Sequence, residues 1–262
     1  MGPAVWRVVG IIGVDPARRS MYPVLFRIGT FEITSFGFLV AIGASVGLWM
    51  FQRELRRSQI DPSAVDAAVA GVIGGLAGAK LLWVFEHRAE DALVNLILSR
   101  GGMSWFGGFA GGIAAGLVVM QWKGLNRVAV LAAAAPALAI GQAIGRIGCF
   151  MVGDDYGRPT QLPWGVAFPK GLPPTTVPVH PTQIYEAIAL IPLAWLLLRW
   201  RRHHRSDQFV LGAYLTLAGT IRFAIEFLRV DVRVLFGLSV AHFASLMAIT
   251  LGATLLLNTR RP

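Results

Sequence analysis

Long apolar runs separated by short polar breaks fill this chain, at residues 31–51, 64–85, 106–122, 127–152, 182–198, 208–228 and 238–257. Each is close to the roughly 20 residues a helix needs to cross a hydrocarbon core. Membrane-barrel strands would read as short alternating segments divided by turns, whereas these runs are long, continuous and rich in Ala, Leu and Gly. Within lipid a helix satisfies its own backbone hydrogen bonds. The pattern predicts an all-α membrane protein: a bundle of seven transmembrane helices over residues 31–257 with a structured outer loop region, all in one domain spanning 1–262.

A tail precedes the pattern and two segments interrupt it. Residues 1–30 read as an outer tail without a convincing cleavage site, so no removed signal peptide is expected. Residues 86–106 form a polar outer loop whose middle, 92–98, suits a short helix lying in the interface. Residues 153–181 are rich in Pro and Gly and too long for a simple connector, which predicts a folded outer cap. In the runs themselves, Gly71, Gly74, Gly75 and Gly78, and then Gly107, Gly108, Gly111, Gly112 and Gly116, have the small-xxx-small spacing that lets helices approach closely. Gly107 and Gly108 also open a helix after a loop, where free N–H groups suit a phosphate.

The composition fits this picture, with 55% hydrophobic and 15% charged residues. The net charge of +10 would suggest nucleic acid in a soluble protein, but here the basic residues cluster at helix ends and set orientation instead. Arg53, Arg56 and Arg57, then Lys123 and Arg127, then Arg199, Arg201, Arg202 and Arg205 mark cytoplasmic loops. With Arg260 and Arg261 they place the C-terminus inside, and an odd helix count places the N-terminus outside; Arg7, Arg18, Arg19 and Arg27 pull the other way. The single cysteine, Cys149, excludes an intramolecular disulfide, and no Cys/His spacing suits zinc, so neither a metal nor a cofactor is expected. Lys80 is read as snorkelling or joining a phosphate pocket, His203 and His204 as a headgroup-facing patch, and Trp6, Trp122, Trp164 and Trp200 as interfacial anchors.

Candidate chemistry lies where charge enters these runs. Arg146 ends one of them, and Asp154, Asp155 and Arg158 follow just beyond. An arginine at membrane depth carries a penalty of roughly 2.5–3.5 kcal/mol, which marks it as paired and functional. Arg222, Glu226 and Arg229 are spaced i, i+4 and i+7 on one helix face. A Glu226 partner orients the Arg222 guanidinium and leaves donors for a ligand. Two arginines against one glutamate leave a positive charge, for which phosphate is the natural anion. His180-Pro181-Thr182-Gln183-Ile184-Tyr185-Glu186 opens a further helix, with Gln183, Tyr185 and Glu186 entering the bilayer. Asp155 and Arg158 are expected either to pair and fold the cap or to meet substrate. His242 is unassigned.

Gly145-Arg146-Ile147-Gly148 followed by Tyr156-Gly157-Arg158-Pro159-Thr160, the helix entry at 180–186, and Gly219-x-x-Arg222-Phe223-x-x-Glu226-Phe227-x-Arg229 resemble the signature segments of the prolipoprotein diacylglyceryl transferase family. The resemblance runs from about residue 23 to the C-terminus with the segments in the same order. It implies a bacterial inner-membrane enzyme that moves the diacylglyceryl group of phosphatidylglycerol to the lipobox cysteine thiol of a prelipoprotein, releasing glycerol phosphate. It also implies catalytic roles for Arg146, Arg222, Glu226, Asp154 and His180. Substrate contacts would fall to Gly107, Gly108, Gly157, Arg158, Gln183, Tyr185, Glu186 and Arg229. Membrane lipids, phosphatidylglycerol and a prelipoprotein signal peptide are the implied partners; nucleic acid is not. Phe106 stands where many members have a histidine, Phe36 where they have tyrosine and Cys149 where asparagine is commoner. With Phe106 inert, Asp154, His180, Glu186 or water remain as the base. Cys149 reads as packing. The competing functions are an anionic-solute transporter and a non-catalytic binder of lipid or lipoprotein.

Overall fold

The computed structural model of the chain describes residues 24–28, 31–99 and 102–259. In chain order these form β1 (Val24–Ile28), β2 (Phe31–Thr34), α1 (Ser35–Arg57), α2 (Ala64–Glu86), α3 (Leu93–Leu98), α4 (Trp105–Trp122) and α5 (Arg127–Val152). The chain continues with β3 (Val166–Phe168), β4 (Thr175–Val179), α6 (Thr182–Arg202), α7 (Asp207–Glu226) and α8 (Val240–Asn258). Among the described residues, six helices are long and apolar enough to cross a membrane; α4 is apolar but shorter. The protein is thus a multi-pass helical membrane protein. The expectations for residues 1–23, including Trp6, Arg7, Arg18 and Arg19, and for Arg260 and Arg261, lie outside the described residues.

Local chemistry sets where these helices start and stop. The Thr34 side chain accepts from the Gly37 amide at 3.1 Å, so α1 starts at Ser35 rather than at 31, and the preceding residues pair as an antiparallel hairpin. Asn126 caps α5 through Val128 and Ala129. The other end of α5 is Gly153 at φ 71°, a left-handed stop that glycine adopts without a Cβ clash. That stop turns the chain sharply and delivers Asp154 and Asp155 back over the last turn of α5.

Small residues set the packing. A Cβ at Gly78 would overlap the Gly107 carbonyl, and one at Gly111 would overlap that of Gly74, so α2 and α4 meet backbone to backbone. Gly43 of α1 faces the Gly141 carbonyl of α5 in the same way, at 2.9 Å from a built Cβ. In lipid such close approach supplies the dispersion contact that water expulsion supplies elsewhere. α5 lies at the centre, against α1, α6 and α7, and α7 packs on α8. Ala132, Ala135, Leu190, Leu197 and Val210 form one core, and Phe51, Leu55, Ala64, Met120 and Ala133 a second. Val72, Ile73, Leu76, Leu81 and Phe85 of α2 point outward, as suits a lipid-facing surface.

Polar groups fasten both ends of the bundle. Where the C-terminal ends of α1 and α6 meet the start of α7, buried Arg201 pairs with Glu54 at 2.9 Å and Asp207 at 3.0 Å and donates to Ser58. Lys123 pairs with Asp66 at 2.8 Å between the end of α4 and the start of α2. The opposite end of the bundle carries a short sheet and its loops, within residues 153–181. There β3 and β4 pair antiparallel, and Phe168, 1% exposed, stacks on Tyr156 and takes Phe150 edge-on. Tyr156 also donates to the Pro173 carbonyl at 2.6 Å.

Candidate active site

Four segments converge beneath this cap. Glu186, in the second turn of α6 and 2% exposed, is the meeting point. Its Oε2 lies 2.9 Å from Arg146 Nε on α5 and 4.0 Å from Arg222 Nη1 on α7. Its Oε1 accepts from Gln142 at 2.6 Å. Gln142 precedes Arg146 by one helical turn, so the same face of α5 supplies an amide and a guanidinium to one carboxylate. Arg222 Nη2 pairs with Glu226 Oε2 at 2.7 Å, one turn further along α7. Arg222 Nη1 is buried and has no hydrogen-bond partner.

Asp155 ties this cluster to the cap. Its backbone takes φ 57°, a left-handed conformation that aspartate tolerates better than most residues. Its carboxylate then reaches Arg146 at 2.8 Å through one oxygen and Arg229 at 2.8 Å through the other. Its carbonyl accepts from Thr182 at 2.8 Å and from Arg229 Nη1 at 2.9 Å. Asp155 therefore pairs with Arg146 and Arg229 rather than with Arg158, as Arg158 follows Gly157 in a strand-like exchange with Leu228 and His180. A Cβ on Gly157 would lie 2.7 Å from the Leu228 carbonyl and 2.9 Å from His180 Cβ, which explains glycine there.

The remaining residues of the helix entry are held as tightly. Gln183 is buried and donates to the Asp154 carbonyl. Tyr185 accepts from Trp164 Nε1 at 2.7 Å and lies 3.3 Å from His180 Nδ1, so Trp164 serves the cap as well as any interface. Arg229 lies just beyond α7, which ends at Glu226, and its donors are taken by Asp155 and by Asp231 at 2.9 Å. Glu226 is fully buried, and its second oxygen accepts from Ser239 at 2.5 Å. Arg233 donates to the Glu226 and Arg229 carbonyls. Gln142, Ser239 and Arg233 were not singled out from sequence; only the one-turn offset of Gln142 from Arg146 signals any of them.

The charge balance differs from the sequence reading. Arg146, Arg222 and Arg229 meet Glu186, Glu226, Asp155 and Asp231, and Arg233 completes four against four. The expected net positive charge is thus cancelled by Glu186 and Asp155, and what remains for an anion is directed donors rather than excess charge. Outside the helices, burial opposes ionisation of Asp155, but the hydrogen bond and charge of Arg229 and the charge of Arg146 hold its carboxyl down to about 2. Burial and the neighbouring Asp155 charge push Asp154 above the usual carboxylate range. The Cys149 sulfur and the two aspartates lie within 4.8 Å of one another. Asp155 already serves two guanidiniums there, which disfavours a cation.

Other candidates lie elsewhere. A Cβ at Gly107 would overlap the Gly78 carbonyl and one at Gly108 would lie 3.4 Å from Ala79 Cβ, so both serve the contact of α2 with α4, and the Gly108 amide is taken by the Ser104 carbonyl at 3.0 Å. Lys80 donates to the Ser99 carbonyl and hydroxyl at 2.9 and 2.8 Å, which fastens the end of α3 to α2. Phe36 lies against Gly148, near the end of α5, and Phe106 is about half exposed on α4. Beside Arg229 opens a cavity of about 360 Å³ lined by Arg158, Asp231 and Arg233 among others.

Fold and site together define a class: a polytopic helical membrane protein with arginines and carboxylates interlocked under a folded cap. The family model for prolipoprotein diacylglyceryl transferase matches residues 23–258. The phosphatidylglycerol–prolipoprotein diacylglyceryl transferase of Clostridium tetani is 32% identical over 238 residues, covering 88% of this chain and 95% of that protein. Its namesake in Geobacter sulfurreducens is 33% identical over 215 residues, 79% of this chain and 82% of its own. The Thermosynechococcus vestitus protein of the same name is 32% identical over 240 residues, 87% and 88% of the two chains. The chain belongs to the prolipoprotein diacylglyceryl transferase family.

Proposed function

We propose that this protein transfers the diacylglyceryl group of phosphatidylglycerol to the lipobox cysteine thiol of a prelipoprotein. The observation that carries the reading is the convergence of Arg146 and Arg222 on Glu186, with a buried Arg222 N–H left free. In the reaction the substrate sulfur attacks the glycerol carbon that bears the phosphate ester. The carbon–sulfur bond forms, the carbon–oxygen bond breaks, and the phosphate oxygen keeps the electron pair as glycerol phosphate leaves. Charge grows on that phosphate, so donors fixed around it act most strongly in the transition state. Arg222 and Arg146 fill this role, while Glu186 and Glu226 hold them in place. Guanidiniums balanced by carboxylates suit this task, because they stabilise a departing anion without trapping it.

The thiol proton goes to Asp154. Its Oδ1 is buried without a partner, and burial and the neighbouring Asp155 charge raise its affinity for protons, as a base requires. Glu186 is engaged by Gln142 and Arg146 and suits the role less. His180 and Tyr185, 3.3 Å apart at the entry to α6, pass the proton on to water. Gly157, Gln183 and Arg229 hold the backbone around Asp154 and Asp155, and Arg158 meets the headgroup from the cap. Gly107 and Gly108 act through packing of the helix that carries Phe106, which borders the lipid path.

We place the protein in the bacterial cytoplasmic membrane as a single domain of seven spans, with α4 as the shortest. The cap and N-terminus face outward and the C-terminus faces the cytoplasm. The ion pair joining the ends of α1 and α6, on the side of the basic loops, supports this sidedness. Complementation tests the function against a transporter or a non-catalytic binder. Expression in a strain depleted of its own transferase should restore growth and lipid-modified lipoprotein, and Arg222→Ala should not. Growth rescued by Arg222→Ala, or no rescue by the membrane-inserted wild type, would refute it.

A further inference from the structure

His242 is fully buried at the start of α8, and nothing in the transfer chemistry above uses it. The hydrogen bonds around it fix its protonation. Its Nδ1 receives the Ser239 amide at 3.2 Å and faces Arg233 Nη1 at 3.3 Å and the Ser239 hydroxyl at 3.0 Å; the amide and the guanidinium can only donate, so Nδ1 is an acceptor and carries no proton. The proton is therefore on Nε2, which is buried without a polar partner. Phe223 and Phe227 take the imidazole edge-on at 5.1 and 4.6 Å. The Ser239 hydroxyl has one proton, and its nearest charged acceptor is Glu226 Oε1 at 2.5 Å. With that proton turned to Glu226, the donors directed at Nδ1 are the Ser239 amide and Arg233, and the hydroxyl oxygen lies beside Nδ1 without donating to it. His242 thus does what glutamine or glutamate does at the third position of a capping box: it accepts from the backbone of the cap residue while that residue's side chain receives the His242 amide.

We propose that Ser239 and His242 are positioning residues for the transfer proposed above, which hold Glu226 so that Arg222 is aimed at the departing phosphate. Glu226 is held at both oxygens, by a hydrogen bond from Ser239 on one and by ion pairs with Arg222 at 2.7 Å and Arg229 at 3.5 Å on the other. Without the serine hydroxyl, Oε1 is buried with no donor, and the carboxylate turns to seek one. Arg222 turns with it, because its Nη2 is held by the same group. Without an acceptor at 242, the Ser239 amide loses its partner and the serine rotates off Glu226. The path from Arg233 through His242, Ser239 and Glu226 to Arg222 is unbroken in hydrogen bonds and ion pairs.

The test measures kcat and KM for phosphatidylglycerol with the full-length protein in lipid nanodiscs and a lipobox peptide. Ser239→Ala should lower kcat on the order of tenfold to a hundredfold, the loss expected of a misaligned catalytic group, with little change in KM. Ser239→Thr keeps the hydroxyl and should restore most of the rate. His242→Gln keeps an acceptor and should behave like wild type, whereas His242→Phe should resemble Ser239→Ala. Ser206→Ala removes the cap of α7, which accepts from Phe209 at 3.2 Å, and is the control for helix capping alone. It should lower the melting temperature without lowering kcat. Wild-type kcat in folded Ser239→Ala, or equal losses in His242→Gln and His242→Phe, would overturn the proposal. Should wild type itself form no adduct, the transfer reading falls, and the geometry is then judged from the structure of Ser239→Ala. A Glu226 carboxylate turned from Arg222 supports the positioning role, and an unchanged pair refutes it.

Discussion

Replacing Arg222 with lysine separates charge from geometry at the centre of the site. Arg222 uses one end of its planar fork on Glu226, at 2.7 Å, and keeps Nη1 buried and unpartnered 4.0 Å from Glu186. A lysine ammonium supplies the same charge from a single nitrogen and cannot hold Glu226 while presenting a second fixed donor. One hydrogen bond to a charged group is lost, worth about 1.5–3 kcal/mol. At about 1.4 kcal/mol for each factor of ten, kcat should fall about 10- to 150-fold. Because the missing donor acts on charge that develops during bond breaking, KM for phosphatidylglycerol should move much less than kcat. The assay follows glycerol phosphate release with time, using purified protein, phosphatidylglycerol and a lipobox peptide. A lysine variant with wild-type kcat would show that the fork is not used and that Arg222 contributes charge alone.

Three further outcomes follow from the same geometry. Cys149→Ser should keep most activity, because the attacking sulfur belongs to the peptide; abolition of turnover in the folded variant would reverse that reading. Asp155 titrates near 2 in the fold against an ordinary value of 3.8, so its stabilising bridge is complete above about pH 4 and disappears as pH falls through about 2. Melting of wild type should therefore exceed that of Asp155→Asn across neutral pH, and the two should converge at low pH; a gap that opens between pH 7 and 5 would contradict the assignment. Gly78→Val drives side-chain atoms into the Gly107 carbonyl and should lower stability by about 1–3 kcal/mol, as overpacking does. A variant as stable as wild type would show that α2 and α4 are not in close contact.

Hydrophobic runs locate helices well because membrane-spanning segments need length and apolarity, and the predicted 127–152 coincides with α5. Ends depend on caps, and Thr34 starts α1 four residues later than apolarity suggests. Arg146, Arg222 and Glu186 stood out because charge in an apolar run is conspicuous, and the structure brings them together. The partner of Asp155 was not legible, since it depends on the left-handed turns at Gly153 and Asp155 that carry the carboxylate back over α5. Ser239 is an ordinary helix cap in sequence, and only three-dimensional proximity joins it to Glu226. The neutrality of the cluster escaped for the same reason: carboxylates 9 and 40 positions from Arg146 become its partners only after folding.

Mass spectrometry of a lipobox peptide incubated with the purified protein and phosphatidylglycerol tests the central claim most directly. The account predicts one diacylglyceryl group joined to the cysteine sulfur, one glycerol phosphate released for each adduct, and neither product with Arg146→Ala or Arg222→Ala. Unmodified peptide in the presence of folded wild-type protein, or adduct formed equally well without the two arginines, would contradict it.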